Sequence, residues 1–384
     1  MNRWLLTLLV IAVSVVGLSM GTTLPLVALR LYAAGADSLA IGALSALPAV
    51  GMILAALLVN HLTRRFTGRQ LYLAGFALCL PSLVALLPSA PALPLLAGAR
   101  LLLGMAMGVL VILGESWVNE LCEERQRGQV VALYAACFTG CQLGGPALLG
   151  LFGASSHWPV LLVLLANLLV LTLVWHSLPT DWSTSAEETP RRFSLLGFVR
   201  VAPALCLGVL FFAFFDAVVL SLFPIYASGH GWAVGVAALM ASVILAGDML
   251  FQVPLGWLSD RLDRRALHLA CGVLTLGLGL ALPWLIEQRA LLWPALVLLG
   301  AAAGGIYTLA LVLIGQHFRG PELITANACV GLLWGVGSLL GPLLAGAMMN
   351  LGPLGLPLSL SLAASLFVVA ALGALPLTRR ALSG

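Results

Sequence analysis

Apolar residues in this chain run for roughly 20 positions at a time without alternation, and short polar clusters separate the runs. Continuous runs predict helices that cross a bilayer. The strands of a membrane barrel would alternate lipid-facing and lumen-facing residues instead. Twelve spans are predicted, at 4–29, 39–60, 70–88, 94–117, 129–152, 158–178, 201–226, 234–258, 266–286, 293–315, 323–348 and 356–377. The uncharged stretches 128–180 and 323–378 are each too long for one helix. They divide at Ser155-Ser156-His157 and between Asn350 and Pro357. The expected fold is all-α and integral to the membrane, with twelve transmembrane helices.

The pattern also repeats. Gly145-Pro146 in span 5 recurs as Gly341-Pro342 in span 11, 196 positions later, and Gly104-x3-Gly108 in span 4 recurs as Gly300-x3-Gly304 in span 10 at the same offset. The basic loop after span 2 matches the loop after span 8 at an offset of 197. Two pseudo-symmetric six-helix bundles are therefore expected, 1–178 and 201–384. The polar segment 179–200 joins them as a cytoplasmic linker. Repeated helical halves around a midplane cavity are a common transporter plan.

Composition narrows the class. Charged residues make up 8% of the 384 positions and hydrophobic residues 61%, against roughly 25% charged in a soluble domain. That excludes a soluble enzyme, a nucleic-acid binder and a disordered chain. All 18 basic residues are Arg, and the net charge of +4 reports topology. With both termini on one side, 15 Arg fall on that side, only Arg30 and Arg289 fall opposite, and Arg100 lies inside a span. The positive-inside rule then places both termini in the cytoplasm. The run from Trp4 to Leu29 is too long for a signal-peptide core and reads as the first span. The seven Cys sit mostly in apolar runs without a CxxC, so neither a disulfide framework nor a zinc site is expected.

The loop after span 8 reads Gly256-Trp-Leu-Ser-Asp260-Arg261-Leu-Asp263-Arg264-Arg265. It resembles the G-x-L-x-D-R-x-G-R-R signature of the major facilitator superfamily, with Asp263 at the usual second Gly. The first-half copy is eroded: Val59 stands for Gly and Thr63 for Asp, while Arg64 and Arg69 remain. Arg100-x3-Gly104-x3-Gly108 resembles the family's span-4 element, and Gly140, Gly144-Gly145-Pro146 and Gly150 its span-5 glycine-proline element. The chain looks most similar to the small bacterial YcaD-like transporters, which also carry an Arg and an acid 15 residues apart in span 4, matching Arg100 and Glu115. The resemblance covers the whole chain. It implies a secondary transporter of a bacterial inner membrane that rocks two halves around a central site, with spans 1, 4, 7 and 10 lining the cavity. Within that motif Gly256 would let helix ends approach, and Asp260 with Arg261, Arg264 and Arg265 would form a cytoplasmic latch. The alternative is a positive-inside turn. Gly145-Pro146 and Gly341-Pro342, present in both halves, read as helix-packing geometry, with an export-specific role as the alternative.

Ionisable residues within spans carry the chemistry. A charge at mid-bilayer costs about 2.5–3.5 kcal/mol on insertion scales, so such residues face a cavity or a partner. Asp216 and Asp248, near the middle of spans 7 and 8, are candidates for proton coupling or cation binding, or else static hydrogen-bonded groups. Arg100 binds an anionic group or pairs with an acid. Glu115 joins a transport step or pairs with the Arg125/Arg127 loop. Gln142 and Asn327 are polar candidates for the cavity, and Tyr307 with the span-7 aromatics can stack on a flat organic substrate. No phosphate loop, catalytic constellation or metal-ligand spacing is present, so neither an enzyme nor a cofactor is expected. The expected function is proton-coupled transport of a small organic molecule by a monomer, with a lean to efflux. Uptake of a metabolite is the first alternative, and a sensor, scaffold or metal transporter is more remote.

Overall fold

The structure, a computed structural model, describes residues 3–88, 92–121, 127–179, 195–317 and 321–374. Among these residues it is all-helical, with no strand. The first helices are α1 (Arg3–Ala33), α2 (Ser38–Leu62), α3 (Gly68–Val84), α4 (Leu93–Leu121), α5 (Arg127–Phe152) and α6 (Trp158–Ser177). The remainder are α7 (Leu195–Val201), α8 (Pro203–Ser221), α9 (Phe223–Gly229), α10 (Val234–Ser259), α11 (Arg264–Leu285), α12 (Arg289–His317), α13 (Pro321–Leu351) and α14 (Gly355–Ala374). Eleven of them are long and apolar enough to cross a membrane.

Two predicted spans differ from the helices found. Span 3, expected over 70–88, is a 17-residue helix that ends at Val84, four residues short of the apolar run. Span 7, expected as one helix over 201–226, is two, because the chain leaves α8 at Leu222 and restarts as α9. Pro224 sits in the first turn of α9, where a missing N–H removes no intrahelical bond. The linker residues 180–194 lie outside the described residues.

The helices fall into two compact units. One holds α1, α3–α6 and most of α2, together with Ala233–Ser242; the other holds Asp37–Gly42, α7–α9, the rest of α10 and α11–α14. Inside the first, α1 packs along α5, and α3 lies against α4 and α6; inside the second, α8 packs along α13, and α11 lies against α12 and α14. Glycines set these contacts. A Cβ at Gly51 would strike the Leu101 carbonyl, and one at Gly247 the Val297 carbonyl, each pair displaced by 196. Gly104 presses on Pro48 and Gly300 on Ile244, again at 196. The repeat seen in the sequence is thus a repeat of backbone-to-backbone contacts, in which small residues let helices approach closely.

Candidate functional site

In the second unit the 196-residue repeat breaks in one informative place. Gly108 of α4 lies against Met52 and Ala55, whereas its counterpart Gly304 of α12 lies against the side chain of Asp248. Any Cβ at Gly304 would occupy the position of the Asp248 carboxyl group. Asp248 is 4% exposed. The Gln252 amide, one turn further along α10, donates to Asp248 Oδ1 at 3.3 Å. No Arg or His lies within ion-pairing distance of Asp248 among the described residues.

Asp216 is buried on α8, two residues past Phe214, where Gly341 of α13 presses on the α8 backbone. Gly337 does the same against Leu210 one turn earlier. Phe212, one turn before Asp216, stacks on Tyr307 of α12 at 5.1 Å and 16°, and Trp334 of α13 closes edge-on against both rings, 5.5 Å from Phe212 and 5.1 Å from Tyr307. Tyr307 and Trp334 keep part of their surface open, while Phe212 is buried. The structure thus brings Tyr307 to the span-7 aromatics and adds Trp334. A lone Trp in an apolar span gives no sign of its direction, so the sequence offered no signal for it. His268 of α11 was also missed; it is buried, bonds the Ile306 carbonyl of α12 at 3.0 Å and meets Phe367 edge-on.

The first unit holds Arg100, completely buried at 0% exposure. Its Nη1 donates to the Thr23 carbonyl of α1 at 3.1 Å and its Nε to the Leu44 carbonyl of α2 at 3.4 Å. The second contact has a local cause. Leu44 would bond the N–H of residue 48 in an unbroken helix, and residue 48 is Pro. Arg100 supplies the missing donor. Glu115, 15 residues along the same helix, stands about 22 Å away at 1.5 Å per residue and is no counter-ion for it. Glu115 is exposed on α4. Gln142 is buried on α5, where Gly21 of α1 rests on its carbonyl. The side chains of Asn327 and Arg127, and Arg125 altogether, lie outside what is described.

At the α10–α11 turn the motif residues act locally. Arg264 donates to Asp260 at 2.7 Å and to the Ser259 carbonyl at 2.9 Å, so the pair ties the start of α11 to the end of α10 across the turn. Arg261 stacks over Trp257 at 3.8 Å, and Arg265 meets His317 at the end of α12 at 2.9 Å. A Cβ at Gly256 would meet nothing within 4 Å, so close approach is not its role here. Asp263 caps α11 by accepting from the Ala266 N–H, and Thr67 caps α3 with a capping box to Gln70. These caps are 196 apart, which corrects the loop offset of 197 and sets Arg64, not Thr63, opposite Asp260.

The family model described as Major Facilitator Superfamily matches residues 9–247 and 205–383, nearly the whole chain. The chain belongs to this superfamily. A Bacillus subtilis protein described as the MFS-type transporter YfkF is 26% identical over 361 residues, 91% of this chain and 90% of its own. The Salmonella paratyphi B YcaD transporter is 32% identical over 130 residues, about a third of either chain. Solved structures share the fold at low identity: a bacterial homologue of the human lysosomal transporter Spinster (TM-score 0.77, 14% identical, 96% of this chain and 95% of that one), and the nucleoside transporter NupG (TM-score 0.75, 13%, 96% and 98%). The D-xylose-proton symporter follows at TM-score 0.71 and 17% identity, with 95% and 96% covered. As a superfamily member the protein is a multi-pass membrane protein and a transporter by family.

Within it, the glycine-proline elements of both halves have the same packing role. Gly145 meets Gly21 across α1–α5, and Gly341 meets Phe214 across α8–α13. A contact made twice, once in each repeat, carries no transport direction.

Proposed function

We propose that this protein is a secondary active transporter working by alternating access, driven by protons that bind Asp248, with Asp216 as the second protonation site. The observation that carries the reading is the notch built for Asp248. A glycine is placed so that a carboxyl group, not a methyl, fills the space, and its nearest partner is the neutral amide of Gln252. A carboxylate inside a span with no cation beside it is costly, and a proton is the neutraliser that can come and go. The substrate is a small, partly apolar organic compound, stacking on Tyr307 and Trp334. Export is the direction tested first, with uptake as the opposite sign of the same measurement. Both termini are assigned to the cytoplasm, and the Asp260–Arg264 turn stiffens the cytoplasmic end of α10.

The test is flux in proteoliposomes over a panel of organic cations, anions and neutral compounds, with and without a pH gradient. Wild type should accumulate or expel a panel member when the gradient is imposed. Asp248→Asn should lose gradient-driven accumulation at least about tenfold while retaining substrate exchange, because only the coupled step needs the proton. Full gradient-driven accumulation in both Asp248→Asn and Asp216→Asn removes the assignment.

A further inference from the structure

Arg100 carries a charge that no described carboxylate balances. Its guanidinium is permanently protonated and offers five donors. Two reach carbonyls, and Nη2 is buried with no hydrogen-bond partner. No carboxylate lies within ion-pairing distance among the described residues. Ser45, next to Leu44 on α2, is also buried with an unpartnered Oγ. A buried guanidinium without an anion is expensive, and a fork with one arm unused is the arrangement that a carboxylate or phosphate completes.

The second half of the chain supplies the comparison. The residues 196 positions after Arg100 and Pro48 are Leu296 and Ile244, both buried. There α12 and α10 pack through the same glycine contacts with no cation at 296 and no proline at 244; the charge at that interface is the acid Asp248, one turn further along α10. The architecture therefore does not need a cation at this place. Arg100 and Pro48 together are an addition to one half. Pro48 breaks the α2 ladder beside Arg100, and Pro25, two residues past Thr23, breaks the α1 ladder on its other flank. The two helix segments over the guanidinium are those with a missing backbone bond, where bending costs least.

We propose that Arg100 is the recognition point for an anionic group, carboxylate or phosphate, on the transported molecule, which reaches it when α1 and α2 bend at Pro25 and Pro48. The proposal rests on the transporter reading above and narrows its substrate to organic anions. It does not require Asp248 to be the coupling site.

The decisive variant is the double substitution Arg100→Leu with Pro48→Ile, which writes the second half's solution into the first. Removing Arg100 alone strands the Leu44 carbonyl; the accompanying Pro48→Ile change returns a backbone N–H to it. Melting temperature of purified full-length protein is measured with added acetate, benzoate or inorganic phosphate against chloride at equal ionic strength. Wild type should rise by several degrees in a saturable way with at least one of the three, as expected for a ligand that binds the folded state. The double variant should melt near wild type without anion and show no rise. A wild type that shows no rise with any of the three, or a rise that survives in the double variant, overturns the proposal. Should the double variant fail to fold, Arg100→Lys decides. It keeps the charge and loses the fork, so saturation should need at least about tenfold more anion, and unchanged saturation overturns the proposal. Flux over the mixed panel separates the two readings. Transport of cations or neutral compounds alone refutes anion recognition and leaves the transporter standing, whereas no flux of any compound refutes the transporter.

Discussion

Gly304 shows how much a single atom decides here. A methyl added at Gly304 must displace the carboxyl group of Asp248, whereas a methyl at Gly300, one turn earlier, meets the Ile244 carbonyl and Asp248 backbone. The two alanine variants should therefore fail differently. Gly304→Ala should leave the melting temperature within a few degrees of wild type and cut proton-driven accumulation at least about tenfold, because a side chain can rotate away. Gly300→Ala should cost about 1–3 kcal/mol of stability, as overpacking against backbone does. Equal losses in both would mean that the Asp248 notch is packing and nothing more. At this scale the sequence was legible wherever a charge stood in an apolar run, which is how Asp216, Asp248 and Arg100 were found. It was not legible where the role depends on which neighbour a residue faces. Pro48 reads as an ordinary helix proline until Arg100 is seen to bond the carbonyl it frees, and Trp334 reads as one more apolar residue.

The helices themselves follow from length and end chemistry. Thr67 and Asp263 start α3 and α11 with side-chain caps, both on exposed turns, and Asp263 does so at the position where the superfamily motif has Gly. Asp263→Ala and Thr67→Ala should each lower stability by about 1 kcal/mol, seen as a melting shift of a few degrees, with flux per folded molecule unchanged. Asp260→Asn should do less, since an exposed i,i+4 pair is worth only a few tenths of a kcal/mol. A larger effect of Asp260 than of Asp263 would favour the latch reading of this turn over the plain positive-inside turn. Span existence was readable almost throughout, because roughly twenty apolar residues admit one solution in a bilayer. The break of span 7 at Leu222 was not, since Leu222-Phe223-Pro224 is as apolar as its surroundings and a proline in a first turn looks like a proline inside a helix.

Across the whole molecule the two halves share their glycine contacts and differ in charge. The first keeps Arg100 where the second has Leu296, and the second keeps Asp248 where the first has Met52. A duplicated scaffold with charges placed on only one copy at each position gives the two halves different chemistry on the same packing. That logic depends on α3 crossing the membrane as its counterpart α11 does. At 17 residues α3 is about 26 Å long, short of the roughly 30 Å hydrocarbon layer. It nonetheless lies against α4 and α6 as α11 lies against α12 and α14. Arg30 also bonds the carbonyls of Leu86 and Pro88 just past its end, so the backbone there is satisfied by the protein. Single cysteines at the exposed positions Phe66, Pro88, Leu262 and Gln288, in a background lacking the seven native cysteines, test this directly. An impermeant maleimide should label positions 88 and 288 in intact cells, and positions 66 and 262 only after the membrane is opened. If 66 and 88 label together while 262 and 288 separate, α3 does not cross. The halves would then no longer share a topology, and the correspondence that pairs Arg100 with Leu296 would lose its basis.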